Sequence, residues 1–490
     1  MGISNASGGA VQIGVCLLIT FLIGLATWAT VRRASRSGDG SSKDVFLAGG
    51  GLTWPFVAGA ITLTNLSTDQ LVGMNGNQML LLAWWELAGF VGLLILSFVF
   101  LPIYYRAQVT TVTELLEKRY GGGGIRTLVS ALFLFGMILI YLPAGLYSGA
   151  LFLRTLFGTD VPIIVFAAIL GVVAAAYTIT GGLRAVAVME TYAGVGVMAT
   201  AVLIVVLALR AVGWDLTSGV PAERLTMIGA ADSPIPFHTL FTGMIFIQIY
   251  YWSTNQPITQ KAMAAPSLRE ARKGVLAAAL VRICFIPAIV AVPGVVAYKL
   301  FGDIDDAAYG RLVGEVLPPW MSGAFAAMIA AAVIAHTSAV LNAAVGLYAV
   351  DFHDKYVAPV ANHWRLAAVT SAVLTATSIA LVPVFENAKS IINLLQQLNG
   401  LSSMPILSAF AVGLLFKGVE SRAAIVGVIW GVILYGLYTF VLQPEGVVTM
   451  HYIDFMVVTL FSSIAAALLV NRLAFGGRAS LRWREPVPAV

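Results

Sequence analysis

The chain has 490 residues; 59% are hydrophobic, only 10% are charged, and the formal net charge is +5. A soluble domain carries roughly 25% charged residues, so there are too few charges to coat a soluble protein of this length, and lipid must cover much of the surface. The basic excess lies in short loops between apolar runs, which argues against a nucleic-acid partner.

A helix rises about 1.5 Å per residue, so about 20 apolar residues cross about 30 Å of hydrocarbon. About thirteen such runs are present. They start near residues 11, 53, 81, 125, 162, 183, 236, 274, 320, 366, 388, 423 and 453, and are numbered span zero to span twelve. The alternating ten-residue segments of a transmembrane barrel are absent. Span zero, about 11–31, has no basic n-region and no small-residue cleavage site, so it reads as a retained span and not as a signal peptide. Cys16 and Cys284 fall in apolar runs, with neither a disulfide framework nor a metal-ligand spacing.

Spans one and six are interrupted by polar clusters. Span one runs through Thr64-Asn65-Leu66-Ser67-Thr68-Asp69-Gln70, then Gly73-Met74-Asn75-Gly76-Asn77. Span six runs through Gln248-Ile249-Tyr250-Tyr251-Trp252-Ser253-Thr254-Asn255-Gln256-Pro257. Non-helical backbone at membrane depth survives only where protein or a wet cavity satisfies it. Each interrupted span opens a run of five, and five is odd, so the two runs have opposite topology. That is the layout of an inverted-repeat transporter, with its site between the repeats near the midplane. A plainer reading is polar glue between packed helices.

Five ionisable residues lie inside spans: Asp69, Glu86, Glu190, Arg282 and His336. Each is costly in hydrocarbon unless paired or hydrated, which makes each a functional-site candidate. Each also has a structural alternative. Asp69 can brace the break, Glu190 can sit at a wet boundary, and Glu86 and Arg282 can serve structure alone. His336, on a face of small residues, can be a hydrogen-bonded core histidine.

The stretch Asn65-Leu66-Ser67-Thr68-Asp69-Gln70-Leu71-Val72-Gly73-Met74 resembles the first core helix of the sodium/solute symporter family, in its sodium–glucose cotransporter branch. Gly181-Gly182-Leu183-Arg184-Ala185-Val186, Tyr250-Tyr251-Trp252-Ser253-Thr254-Asn255-Gln256, Ile258-Thr259-Gln260 and Ala264-Ala265-Pro266-Ser267 are similar to it in the same order. The likeness runs from Phe46-Leu47-Ala48-Gly49 to about span eleven. It implies an all-α integral membrane protein with a LeuT-type fold of two inverted five-helix repeats. The whole chain, 1–490, is then one membrane domain. Residues 10–32 form an extra N-terminal helix, 53–212 and 236–416 the repeats, 420–472 two C-terminal helices, and 473–490 a cytoplasmic tail.

The resemblance implies solute contacts at Asn65, Gln70, Glu86, Gln248, Arg282 and Gln396, an aromatic gate at Tyr251, and apolar gate or wall positions at Met74 and Trp252. The chemistry agrees, because a polyol's hydroxyls both donate and accept, which suits amides and a carboxylate. Arg282 stands where the family has a lysine, and its planar fork also suits a carboxylate. The resemblance further implies a sodium site made by carbonyls near Leu63, Leu66 and Ala332 and by two hydroxyls of span eight. Those two positions are Ala335 and His336, and a hard cation wants oxygen ligands. Glu190 takes the place of an aspartate linked to a second cation site in some members, with Ser338 nearby.

The expected protein is therefore a secondary transporter of a small polar solute, a sugar or polyol, working by alternating access in the lipid bilayer, with no cofactor beyond a coupling ion. Family membership points to sodium; Ala335 and His336 favour a proton or no ion. An anionic solute such as a sugar acid is the alternative. An intramembrane enzyme would need a metal-ligand histidine pair or a carboxylate dyad, and none occurs at suitable spacing.

Basic residues set the orientation. Arg32, Arg33, Arg36 and Lys43, then Arg106, Lys118, Arg119 and Arg126, then Arg184, then Lys261, Arg269, Arg272 and Lys273, then Lys355 and Arg365, then Lys417 and Arg422, and finally Arg472, Arg478, Arg482 and Arg484 fall on one side, 21 in all, against six on the other, Arg154, Arg210, Arg224, Lys299, Arg311 and Lys389. By the positive-inside rule that side is cytoplasmic. The N-terminus is expected outside the plasma (inner) membrane and the C-terminus in the cytoplasm. Single cysteines at positions 4 and 480 test this: an impermeant thiol reagent on intact cells should label the first and spare the second, and the reverse pattern overturns the orientation.

Overall fold

The structure, a computed structural model, describes residues 2–34, 51–66, 68–357, 363–386, 388 and 390–481. Phe46-Leu47-Ala48-Gly49, Ser67, the chain beyond 481, and the side chains of Leu63 and of 181–185 lie outside the described residues.

Span zero is α1 (Gly2–Ala34). Span one is split into α2 (Trp54–Asn65) and α3 (Thr68–Gly76). Span two begins as α4 (Trp84–Ile95) and continues through a π-helical turn to Ala107. The short helix α5 (Val112–Tyr120) precedes α6 (Gly123–Gly136) and α7 (Leu142–Phe157), which a second π turn joins into span three. Spans four and five share one continuous helix, α8 (Ile163–Ala211). Span six is split into α9 (Gly243–Ser253) and α10 (Gln256–Met263). Then come α11 (Leu268–Phe301), α12 (Pro319–Leu347), α13 (His363–Phe385), α14 (Ile391–Leu415), α15 (Ser421–Leu437) and α16 (Tyr452–Leu473). A small antiparallel ladder pairs β1 (Phe416–Lys417) with β2 (Ser480–Leu481).

Among the described residues, ten helices are long and apolar enough to cross a membrane. Their outer faces carry exposed Leu17, Phe98, Val195, Leu280, Val373 and Ile433, which only lipid tails would cover without cost. The most apolar part of α12 is 89% buried, whereas that of α1 is 0% buried. So α12 is the central post of the bundle and α1 an outer addition. The run Ala330-Ala331-Ala332 and the neighbouring Ala335 explain the close packing around α12, because small side chains let helices approach.

At 49 residues, α8 would be about 73 Å long if straight, more than twice the hydrocarbon thickness. It is instead two apolar stretches, 163–179 and 193–211. Thr155, just before its start, sits against Gly310, and Ala208, near its end, packs with Leu312. Both ends therefore reach one face of the bundle, the face that carries Asp306.

The interruptions expected in spans one and six are present. At the first, Leu66 leaves the helix with φ −78° and ψ 54°. At the second, Thr254 and Asn255 leave it, and Pro257 starts α10, where its missing N–H costs nothing. Protein groups take up the loose backbone. Tyr104 donates its hydroxyl to the Ser253 carbonyl at 2.6 Å, and the Val112 N–H donates to Gln256 Oε1 at 2.9 Å. On the far side of the first break, Pro293 in α11 deprives the Ile289 carbonyl of its helical donor. Asn75 Nδ2 donates to that carbonyl at 3.2 Å, and Asn75 Oδ1 accepts from the Gly294 N–H at 2.7 Å. The proline kink of α11 is thus the docking point of α3.

Each face has its own lock. On the Asp306 face, the Asp306 carboxylate accepts from the Ile391 N–H at 2.9 Å, and Gly76 lies so close that a Cβ there would collide with Asp306. Burial pushes the Asp306 carboxyl up to about 7, against the lowering effect of that N–H. On the opposite face, buried Asp351 accepts from Arg126 Nε at 2.8 Å and from Thr111 at 3.1 Å, and also from the hydroxyls of Thr113 and Ser130. Arg126 and Lys355 both reach Glu117, each at 2.7 Å. This cluster ties α5 and α6 to the end of span eight.

Candidate functional site

Between the two breaks lies a small cavity lined by Asn65, Gln70, Trp85, Glu86, Ile247, Gln248, Tyr251, Trp252, Arg282 and Gln396. Eight of the residues singled out from the sequence meet here. Met74 lies apart, fully buried in the core. Trp85 and Ile247 are additions; each neighbours a polar residue already singled out, but an apolar residue in an apolar run carries no signal of its own.

The floor of the cavity is an ion pair. Arg282 Nη1 donates to Glu86 Oε2 at 2.5 Å, and both side chains are almost wholly buried. The guanidinium also lies 4.4 Å above the Trp252 ring, a cation–π contact. Oriented so that oxygen meets donor, the amides complete a ring. Asn65 accepts from Arg282 and donates to the Tyr251 hydroxyl at 3.0 Å, while Gln70 donates to Glu86 Oε1 at 2.9 Å. Gln248 accepts from Trp252 Nε1 at 2.9 Å and donates to the Trp85 carbonyl at 3.0 Å. Gln396 accepts from Asn399 at 3.1 Å. A Cβ on Gly92 would collide with the Trp252 ring and come within 2.6 Å of the Gln248 carbonyl oxygen, so only glycine lets α4 approach α9 this closely. The result is an electrically neutral pocket with aromatic walls.

The positions expected to serve a cation lie elsewhere in the bundle. Leu66, Ala332 and Ala335 are buried. The His336 ring packs against Gly145 of α7. The Ser338 hydroxyl donates to the Ala174 carbonyl at 2.9 Å, which commits it to α8. Neither Ala335 nor His336 presents a side-chain oxygen, so the two-hydroxyl arrangement for sodium is not reproduced. No group of three or more histidine, cysteine or acidic residues suited to a metal occurs among the described residues. Glu190 accepts from Lys261 Nζ at 2.6 Å. This corrects the reading of Lys261 as a loop residue. It is fully buried on α10, because the polar run after Pro257 continues as helix inside the protein.

Interrupted membrane helices, a bundle around α12 and a midplane pocket of polar side chains define a secondary transporter. A family model described as the sodium:solute symporter family matches residues 45–431, and the chain belongs to that family. It is 32% identical to an uncharacterized symporter of Escherichia coli (strain K12), over 92% of this chain and 82% of that one. It is 27% identical to sodium/myo-inositol cotransporter 2 of Mus musculus, over 93% of this chain and 75% of that one. Its fold is similar to that of a sodium-coupled sialic acid symporter solved in a substrate-bound outward-open state. The TM-score is 0.80 at 18% identity, covering 94% of this chain and 98% of that one. The fold is of the LeuT type.

If the cavity is the solute site, truncating its amides strands hydroxyls of a bound solute. Gln70→Ala and Gln396→Ala should each weaken solute binding by about 1–1.5 kcal/mol, roughly tenfold. Glu86→Ala should cost more, because it also strands Arg282. Equilibrium binding of labelled solute to purified variants measures this, and unchanged affinity in all three properly folded variants would move the site elsewhere.

Proposed function

We propose that this transporter carries a neutral sugar or polyol across the plasma membrane by alternating access, with its N-terminus outside, and that a sodium gradient does not drive it. The observation that carries the substrate class is the closed pair of Glu86 and Arg282. A carboxylate solute would have to take Arg282 from Glu86 and leave a buried charge without a partner, which is strongly unfavourable. A neutral polyol has no such cost. Its hydroxyls bond to the amides of Asn65, Gln70, Gln248 and Gln396 and to the free lone pairs of Glu86. Its ring face lies against Trp85, Trp252 or Tyr251. The relative named for myo-inositol, a neutral polyol, supports this reading.

In the transport cycle, the backbone breaks at Leu66 and Thr254 are the points at which the helix halves swing. Met74 and Trp252 close the side of α3 and Tyr251 the other side. The Asp306 and Asp351 clusters, both formed in this structure, are the contacts that part in turn as each face opens.

A coupling sodium would be cargo rather than a resident group, and the positions offered to it by Leu63, Leu66, Ala332, Ala335, His336, Ser338 and Glu190 suit it poorly. Two hydroxyls are gone, Ser338 is bonded to α8, and Glu190 is already paired. An imidazole exchanges a proton near about pH 6.5 when unperturbed, so His336 is the candidate proton carrier.

Uptake into proteoliposomes tests both parts. A neutral sugar or polyol should compete with the labelled solute at least tenfold better than the corresponding sugar acid. Uptake should be insensitive to an inward sodium gradient and should vary with pH, and His336→Ala should flatten that variation. Preference for the sugar acid would reverse the substrate class. Strong sodium stimulation with a flat pH profile would show that backbone carbonyls suffice for a sodium site.

A further inference from the structure

Three helices that belong to different parts of the bundle meet at one buried charge. Lys261, on α10, is 0% exposed, and its ammonium donates to the Glu190 carboxylate at 2.6 Å and to the Ala60 carbonyl at 3.4 Å. Glu190 lies on α8 just before its second apolar stretch, its side chain 1% exposed. Ala60 lies on α2, one helical turn before Leu63. The ammonium therefore sits among a carboxylate and a main-chain carbonyl, the oxygen types that a small monovalent cation would seek.

We infer that Lys261 is a built-in cation: its ammonium holds the seat on Glu190 and α2 that a free monovalent cation would otherwise take. Two apolar side chains of similar volume would pack the three helices as well or better, so packing alone does not call for a buried ion pair here. The arrangement instead keeps α2 and α10, the halves of both interrupted spans on this side, joined to α8 through one charge. The inference rests on the reading of the chain as an alternating-access carrier and adds a reason why no free cation is required: the charge is covalently attached and cannot be carried across.

Removing the tether should expose the seat. In Lys261→Ala, replacing choline chloride by sodium or ammonium chloride at constant ionic strength should raise the melting midpoint by several degrees, and sodium should stimulate solute uptake several-fold. Choline is too large to enter. Lys261→Arg should resemble the unaltered protein, and Lys261→Ala with Glu190→Gln should lose the sodium response. If Lys261→Ala does not accumulate, adding Glu190→Gln should restore the protein, because the unpaired carboxylate is gone. The inference is overturned by a folded Lys261→Ala that ignores small cations, by a response that survives Glu190→Gln, or by a double variant as unstable as Lys261→Ala. The comparison between these variants decides the matter whatever the unaltered protein does in sodium, so failure here is distinct from failure of the coupling reading above.

Discussion

Hydrocarbon offers no hydrogen-bond partner, so a chain that breaks two of its helices at membrane depth must satisfy the loose backbone from within. Much of the bundle is arranged around that requirement. The Ser253 carbonyl is met by Tyr104, and the start of α10 is pinned to α5 through Gln256. The carbonyl freed by Pro293 is met by Asn75, which fastens α3 to α11. One helix's defect is thereby used to hold another's. The breaks also leave room at their level, and that room is the cavity.

The same constraint governs charge. An ion alone in this interior would cost several kcal/mol, and the structure pairs Glu86 with Arg282 and Glu190 with Lys261. The first pair forms the floor of the cavity and the second joins α10 to α8. Each is neutral as a unit. A neutral solute can then enter and leave the first without separating charge, while a free cation has little to gain at the second. On the proposed reading, substrate class and independence from sodium follow from one rule, that buried charges stay matched.

The sequence made the breaks legible, because Asn65, Asp69, Gln70 and the run from Gln248 to Pro257 are polar where lipid-facing helix would be apolar. Glu86 and Arg282 stood out for the same reason. Their partnership was not legible, since 196 positions separate them and nothing local forces them together. Lys261 was hidden by its neighbours: it follows Thr259 and Gln260 at the polar end of span six and counts with the cytoplasmic basic residues, yet all three are buried because protein, not water, surrounds α10. The Asp351 cluster was missed likewise, its parts being spread over α5, α6 and the end of span eight. His336 was visible as an oddity on α12, but its contact with Gly145 depends on the approach of α7, which only the fold supplies.

The central claim is that a neutral solute binds in the cavity without parting Glu86 from Arg282. A cryo-electron microscopy map of the protein saturated with its solute tests this most directly. The account requires solute density among Gln70, Glu86 and Gln396, with the guanidinium of Arg282 still on Glu86. Solute density outside the cavity, or Arg282 turned from Glu86 onto a carboxylate of the solute, would contradict it.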